Sequence, residues 1–161
     1  MDNIIVYCEI DENKVADVSL ELLTKGRKLA DQLKCQLEAV VLGHQLKNIE
    51  KEILPYGADT VYVGDDPRLS PYTTIAHTNI LVDLLEKQNP QIVLLGATTI
   101  GRDLGPRVSS ALKSGLTADC TSLEIGDHEN KRENKVYHNL LYQIRPAFGG
   151  NIIATIINPD N

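Results

Sequence analysis

One stretch of the sequence decides the fold class: Gln91–Arg107, QIVLLGATTIGRDLGPR. Its first five residues form an apolar run without polar alternation, which predicts a strand buried on both faces. Small residues then lead into a helix. Pro106 is expected in the first turn of that helix, because proline has no N–H to donate. Gly115 is expected to cap the C-terminal end.

Outward from this stretch, short β-branched runs alternate with longer helical patterns. Strands are predicted at 3–8, 37–42, 60–63 and 91–95, and helices at 15–34, 45–54 and 72–88. Strands that are apolar on both faces and alternate with helices indicate right-handed crossovers and a parallel sheet covered on both sides. We therefore predict an α/β fold, with three α/β/α layers and a mostly parallel sheet.

The pattern changes after Gly115. Three extended segments joined by short turns follow, at 117–125, 135–145 and 151–157. Such a series predicts an antiparallel addition at one edge of the sheet.

Composition bounds the class of protein. The chain has 161 residues, 42% of them hydrophobic and 24% charged, which is typical of one globular domain. Its net charge of −6 argues against a nucleic-acid partner. No apolar run is long enough to span a membrane, and the N-terminus has no signal-peptide pattern. Three unpaired cysteines suit a reducing compartment, so a cytoplasmic location is expected.

The basic residues concentrate in the turn that follows the last predicted strand of the parallel sheet. Residues 95–118 contain three bases and one acid, whereas residues 1–94 contain nine bases and fifteen acids. Exposed amides at a helix N-terminus favour an anion, and Arg102 and Arg107 add positive charge. Three other interpretations stay open. In the first, the turn is only a tight connection between the strand and the helix. In the second, Asp103 and Arg107 form an ordinary ion pair within the helix. In the third, the arginines face a partner protein.

Other groupings of polar residues predict less. Glu9, Asp11 and Glu12 are interpreted as a solvated acidic loop, and the four histidines have no metal-ligand spacing. The turn is neither a P-loop nor a dinucleotide fingerprint, and no serine sits in a nucleophile elbow. No catalytic residue and no metal ligand is predicted.

Two long blocks carry a family resemblance. Gly96–Ile125, GATTIGRDLGPRVSSALKSGLTADCTSLEI, and Arg145–Ile156, RPAFGGNIIATI, resemble the N-terminal domain of the electron-transfer flavoprotein alpha subunit. The opening IIVYCEI, the later LLTKGRKLAD and the turn at 56–59 fit the same family. The resemblance extends over essentially the whole chain.

The resemblance implies a fold related to adenine-nucleotide alpha-hydrolase-like domains. Residues 1–161 would then be a single N-terminal domain, with the C-terminal FAD-binding domain of the alpha subunit absent from this chain. The chain would act as a scaffold that binds the beta subunit in a heterodimer. The full complex would hold FAD and carry electrons between dehydrogenases, or NADH, and an acceptor. This chain alone is expected to bind no cofactor tightly and to have no catalytic activity.

The resemblance also implies roles for individual residues. Gly101, Arg102, Asp103 and Arg107 are predicted to be interface or cofactor-adjacent residues, and Arg145 and Phe148 are secondary candidates for the same role. A surface that binds a beta subunit should include a contiguous apolar patch. A stand-alone adenine-nucleotide-binding module of similar fold is the alternative function.

Overall fold

The computed structural model describes residues 3–147 and 152–159. The chain divides into two compact units, Met1–Lys113 and Ser114–Asn161. Each unit is described by itself below.

The first unit alternates strands with helices, as predicted. Its strands are β1 (Asn3–Cys8), β2 (Ile10–Asp11), β3 (Lys14–Val15), β4 (Gln36–Gly43), β5 (Thr60–Asp65) and β6 (Ile92–Leu94). Its helices are α1 (Asp17–Leu33), α2 (Glu50–Ile53), α3 (Thr74–Gln88) and α4 (Thr99–Leu112). The predicted helix at 45–54 is shorter than expected, because most of its length is loop and the 3-10 turn Leu54–Tyr56 follows α2.

The main sheet is parallel and has the strand order β5-β4-β1-β6. In the register, Ile5 lies beside Glu38 of β4 and Val93 of β6. All six residues of β1 are buried. A central strand with no exposed face needs cover on both sides, and the apolar run that follows Asn3 in its sequence predicts this.

Helices cover both faces of this sheet. On one face, Gly26 of α1 packs so closely that an added Cβ would lie 2.8 Å from Leu37 Cδ1. On the other face, Ile5 of β1 joins a core cluster with Leu81 of α3 and Leu104 of α4. The predicted three-layer α/β/α architecture is therefore confirmed.

The ends of α4 differ from the prediction. The helix begins at Thr99, so Pro106 lies inside it rather than in its first turn. The reason is local, because the Thr98 side chain caps the helix and fixes an earlier start. Lys113, and not Gly115, ends the helix in the left-handed conformation, with φ of 54°. Lys34 and Asn89 end α1 and α3 in the same way, with φ of 55° and 45°.

The second unit contains three antiparallel strands, as predicted, but the first begins at Ser122 rather than at 117. They are β7 (Ser122–Asn130), β8 (Lys135–Pro146) and β9 (Ile153–Ile156), paired in the order β7-β8-β9. They form a sheet of their own, and over the described ranges none of them pairs with the parallel sheet. That residues 1–161 act as one domain stays a prediction.

Candidate functional site

The topology marks one crevice in the first unit. From β1 the chain continues to β4 and β5 on one side of the sheet and then crosses to β6 on the other side. Ligands of open α/β sheets bind at such a switch point, beyond the carboxyl ends of the strands. Glu9 follows β1 and Gly96 follows β6 closely, so these two residues border the switch crevice, the groove between the ends of β1 and β6.

A carboxylate fills this crevice. The Thr98 hydroxyl donates to Glu9 Oε1 at 2.7 Å and accepts from the Gly101 N–H at 3.0 Å. Glu9 is only 6% exposed, so its interpretation as part of a solvated loop is wrong, whereas Asp11 and Glu12 are exposed as predicted. Burial raises the pKa of the Glu9 carboxyl, and the hydrogen bond from Thr98 opposes that rise.

Gly101 has a packing role. A Cβ at this position would overlap the Gly96 carbonyl oxygen and lie 2.9 Å from the Gly96 carbonyl carbon. The first turn of α4 therefore presses directly on the end of the β6 turn, and no ligand separates the two backbones. Of the open interpretations of this turn, the tight strand-to-helix connection describes Gly101.

Asp103 faces α3 rather than the crevice. Its Oδ2 accepts from the Thr74 hydroxyl at 2.5 Å and from the Tyr72 hydroxyl at 2.8 Å. Arg107 Nε lies 3.5 Å from Asp103 Oδ1, as the helix-pair interpretation predicted. The hydrogen bonds from Thr74 and Tyr72 hold the pKa of the Asp103 carboxyl below its ordinary value. Asp103 thus joins the N-terminal parts of α3 and α4.

The two arginines point outward. Arg102 Nε donates to the Ala97 carbonyl at 3.3 Å, and both Arg102 and Arg107 are exposed. The structure therefore does not bring the four candidate residues together. Gly101 packs inward, Asp103 binds the start of α3, and only the arginines are left on the surface.

The secondary candidates lie in the second unit. Arg145 is in β8, opposite Ala154 of β9, and is half-buried. Phe148 lies outside the described residues. Both assignments stay predictions.

Sequence reasoning missed one buried polar pair. The Tyr7 hydroxyl donates to His77 Nδ1 at 2.8 Å, and His77 Nε2 lies 3.0 Å from the Leu69 carbonyl oxygen. The Leu69 carbonyl oxygen can only accept, so Nε2 carries the proton, and in the neutral imidazole Nδ1 then accepts from the Tyr7 hydroxyl. Burial lowers the pKa of His77 and raises the pKa of Tyr7. The only signal in the sequence was a histidine on the apolar side of a predicted helix.

Metal and thiol chemistry find no support in the geometry. Within 3–147 and 152–159, no three histidine, cysteine or carboxylate side chains come together as metal ligands do. Burial raises the pKa of the Cys8 thiol to about 12. A thiol in that state is unreactive near neutral pH.

Comparison with known proteins decides the family. The family model described as "Electron transfer flavoprotein domain" matches residues 4–161. The chain belongs to the electron transfer flavoprotein family. This match confirms the family that the two sequence blocks predicted.

Its relatives in the electron transfer flavoprotein family are longer proteins. The chain is 44% identical to the electron transfer flavoprotein subunit alpha of Thermoanaerobacterium thermosaccharolyticum, over 96% of this chain and 44% of that protein. It is 42% identical to the acryloyl-CoA reductase electron transfer subunit beta of Anaerotignum propionicum, over 96% of this chain and 46% of that protein. The chain thus spans less than half the length of these relatives.

A structural comparison adds one similar fold. A universal stress protein in complex with cAMP aligns with 75% of this electron transfer flavoprotein chain and 98% of that chain, at 17% identity and a TM-score of 0.47. In the residues described, no helix is both long and apolar enough to cross a membrane.

Proposed function

We propose that this chain is the N-terminal scaffold domain of an electron transfer flavoprotein alpha subunit, and that it binds the beta subunit. The full complex would carry electrons from a dehydrogenase, or from NADH, through FAD. The family match over residues 4–161 supports the proposal, as does the 44% identity to an alpha subunit over 44% of that protein's length. A cytoplasmic location is part of the proposal and is supported by the odd number of cysteines in the sequence, three, with no CxxC pair among them.

The observation that carries the proposal is the lack of a buried core in the second unit. None of the residues that the structure describes in 114–147 and 152–159 is buried. A three-stranded sheet needs a packed hydrophobic face for stability. The apolar residues of this unit are therefore not fully buried within the chain. A partner subunit that packs against them would bury them.

One face of this sheet is the best candidate for that interface. In antiparallel strands, opposite residues share a face and alternate residues along a strand return to it. By this rule, the Leu141 face carries the polar Gln143 together with five apolar residues, all half-buried: Leu123, Ile125, Leu141, Ala154 and Ile156. Arg145 lies on the same face, which supports its proposed interface role.

FAD does not fit the switch crevice of this chain. A dinucleotide needs donors and space for its phosphates there, whereas the crevice holds the Glu9 carboxylate and the tightly packed Gly96 and Gly101. We therefore place the flavin in the remainder of the alpha subunit and in the beta subunit. Arg102 and Arg107 remain proposed contacts to a partner, because both are exposed on α4.

The test is association with the cognate beta subunit, measured by size exclusion and calorimetry on the purified chain. Leu141→Asp is expected to weaken association at least tenfold, because it places a charge on the Leu141 face. Ile75→Asp is the matched control, since Ile75 is 74% exposed on α3 of the first unit and should leave association unchanged. A chain that does not bind the beta subunit, or equal loss in both variants, contradicts the proposal.

A further inference from the structure

We propose that the Glu9 carboxylate is an internal anion at the start of α4, and that it keeps phosphate-bearing ligands out of the switch crevice. The inference concerns the first unit alone and does not depend on binding of the beta subunit. Open α/β sheets bind ligands at the switch point. In this chain the Glu9 side chain lies at that place.

The first step is the position of the carboxylate. A helix N-terminus carries partial positive charge and unpaired N–H groups, and a negative group there is stabilising. Thr98 is the N-cap of α4, and its hydroxyl binds both the Gly101 N–H and Glu9 Oε1. Two hydrogen bonds therefore connect Glu9 to the end of the helix. The Gly101 N–H donates to the Thr98 hydroxyl, and this hydroxyl donates to Glu9 Oε1.

The second step is that Glu9 is held in place at every polar position of its backbone. Its N–H donates to the buried Ser19 hydroxyl at 2.8 Å, and its carbonyl accepts from the Ala16 N–H at 2.9 Å. The side chain is bounded by Gly96, where an added Cβ would lie 3.0 Å from Oε1. The carboxylate cannot leave the crevice by a simple rotation without breaking the bond to Thr98.

The third step is electrostatic. A phosphate entering the crevice would meet a like charge in a nearly buried environment, where repulsion is much stronger than in water. Arg102, in the first turn of α4, donates from Nε to the Ala97 carbonyl. The crevice therefore presents negative charge where nucleotide-binding members of this fold class present donors.

The test asks whether removal of Glu9 turns the crevice into an anion site. Wild type, Glu9→Ala and the control Asp11→Ala are titrated with acetate, inorganic phosphate and AMP at constant ionic strength. Asp11 is an exposed acid on the neighbouring strand β2, so this control removes one carboxylate outside the crevice. Thermal shift and calorimetry are the readouts.

Glu9→Ala is expected to bind acetate and phosphate saturably. At ten times the half-saturating concentration, its Tm should rise by about 4 °C. Wild type and Asp11→Ala are expected to show no saturable shift. If Glu9→Ala does not fold, Glu9→Ser carries the test, because it also removes the charge and leaves space in the crevice.

The outcomes divide cleanly. A saturable response in either Glu9 variant, with none in wild type or in Asp11→Ala, supports the internal anion. No response in any folded Glu9 variant, or an equal response in wild type or Asp11→Ala, overturns it.

Discussion

The two units of this chain solve the problem of burial differently. In the first unit, β1 is buried along its whole length, and helices supply a core on each face of the sheet. In the second unit, no described residue reaches full burial, although its strands are rich in leucine and isoleucine. The comparison indicates that the first unit is stable through its own packing, whereas the second depends on something that covers it.

The largest effect should separate the two units directly. Leu104→Ala removes a fully buried side chain of the first core and should lower the free energy of unfolding by about 4 kcal/mol. Leu141→Ala changes a half-buried position of the second unit and should lower it by about 1 kcal/mol or less. Urea unfolding of the purified chain measures both. Equal losses of unfolding free energy in the two variants would contradict the difference in packing between the two units.

A second contrast uses two glycines. Gly101→Ala forces a methyl group into the Gly96 backbone, so the free energy of unfolding should fall by about 3 kcal/mol. Gly115→Ala meets only the end of the Asn158 side chain, which can move, and the change should stay within about 0.5 kcal/mol. Denaturation midpoints of the two variants decide the matter. A stable Gly101→Ala protein would show that the crevice has more room than the packing indicates.

A third effect concerns the buried polar pair. His77→Phe leaves the Tyr7 hydroxyl without its acceptor and should lower the free energy of unfolding by about 2 kcal/mol at pH 7.5.

The same residue makes stability depend on pH. Because the folded state lowers the pKa of His77, only the unfolded chain takes up this proton as the pH falls through 6.5, the ordinary value. Wild type should therefore lose stability between pH 7.5 and 5.5. His77→Phe should lose less over the same range, and urea unfolding at both pH values measures the difference. Identical pH profiles would contradict a buried neutral imidazole.

The smallest contrast involves two tyrosine hydroxyls. Tyr72→Phe removes a donor to Asp103 and should lower the free energy of unfolding by about 1 kcal/mol. Tyr137→Phe removes an exposed bond to Glu133 in the second unit and should have no measurable effect. Paired denaturation curves test the difference. Both hydrogen bonds join a tyrosine to a carboxylate, so a difference between the two variants reports the surroundings of each bond.

The strands of the first sheet could be predicted because their signal is local. In the stretch 3–8 an apolar run follows Asn3, and β1 has the predicted bounds. The start of α4 could not be placed by proline alone. A capping threonine competes with it, and Thr98 determines where the helix begins. Position in the sequence also did not separate Glu9 from Asp11, because burial of a carboxylate depends on the helix that packs over it.

The candidate site was only partly predictable for a geometric reason. Gly101 has no side chain, and Arg102 and Asp103 are consecutive in a helix, so the directions of their side chains differ by about 100°. The three residues cannot converge on one ligand, and the structure directs them to three different surroundings. The family could be predicted because whole blocks of sequence carry it. The contacts of single residues required the packing.

The helix ends leave room for engineering. Lys34 and Lys113 terminate α1 and α4 with positive φ, a backbone geometry that glycine adopts without a steric penalty. Both side chains are exposed, so little packing opposes replacement. A chain with both Lys34→Gly and Lys113→Gly is therefore a starting point for a more stable first unit. Such a chain would serve crystallisation and solution spectroscopy of this electron transfer flavoprotein domain.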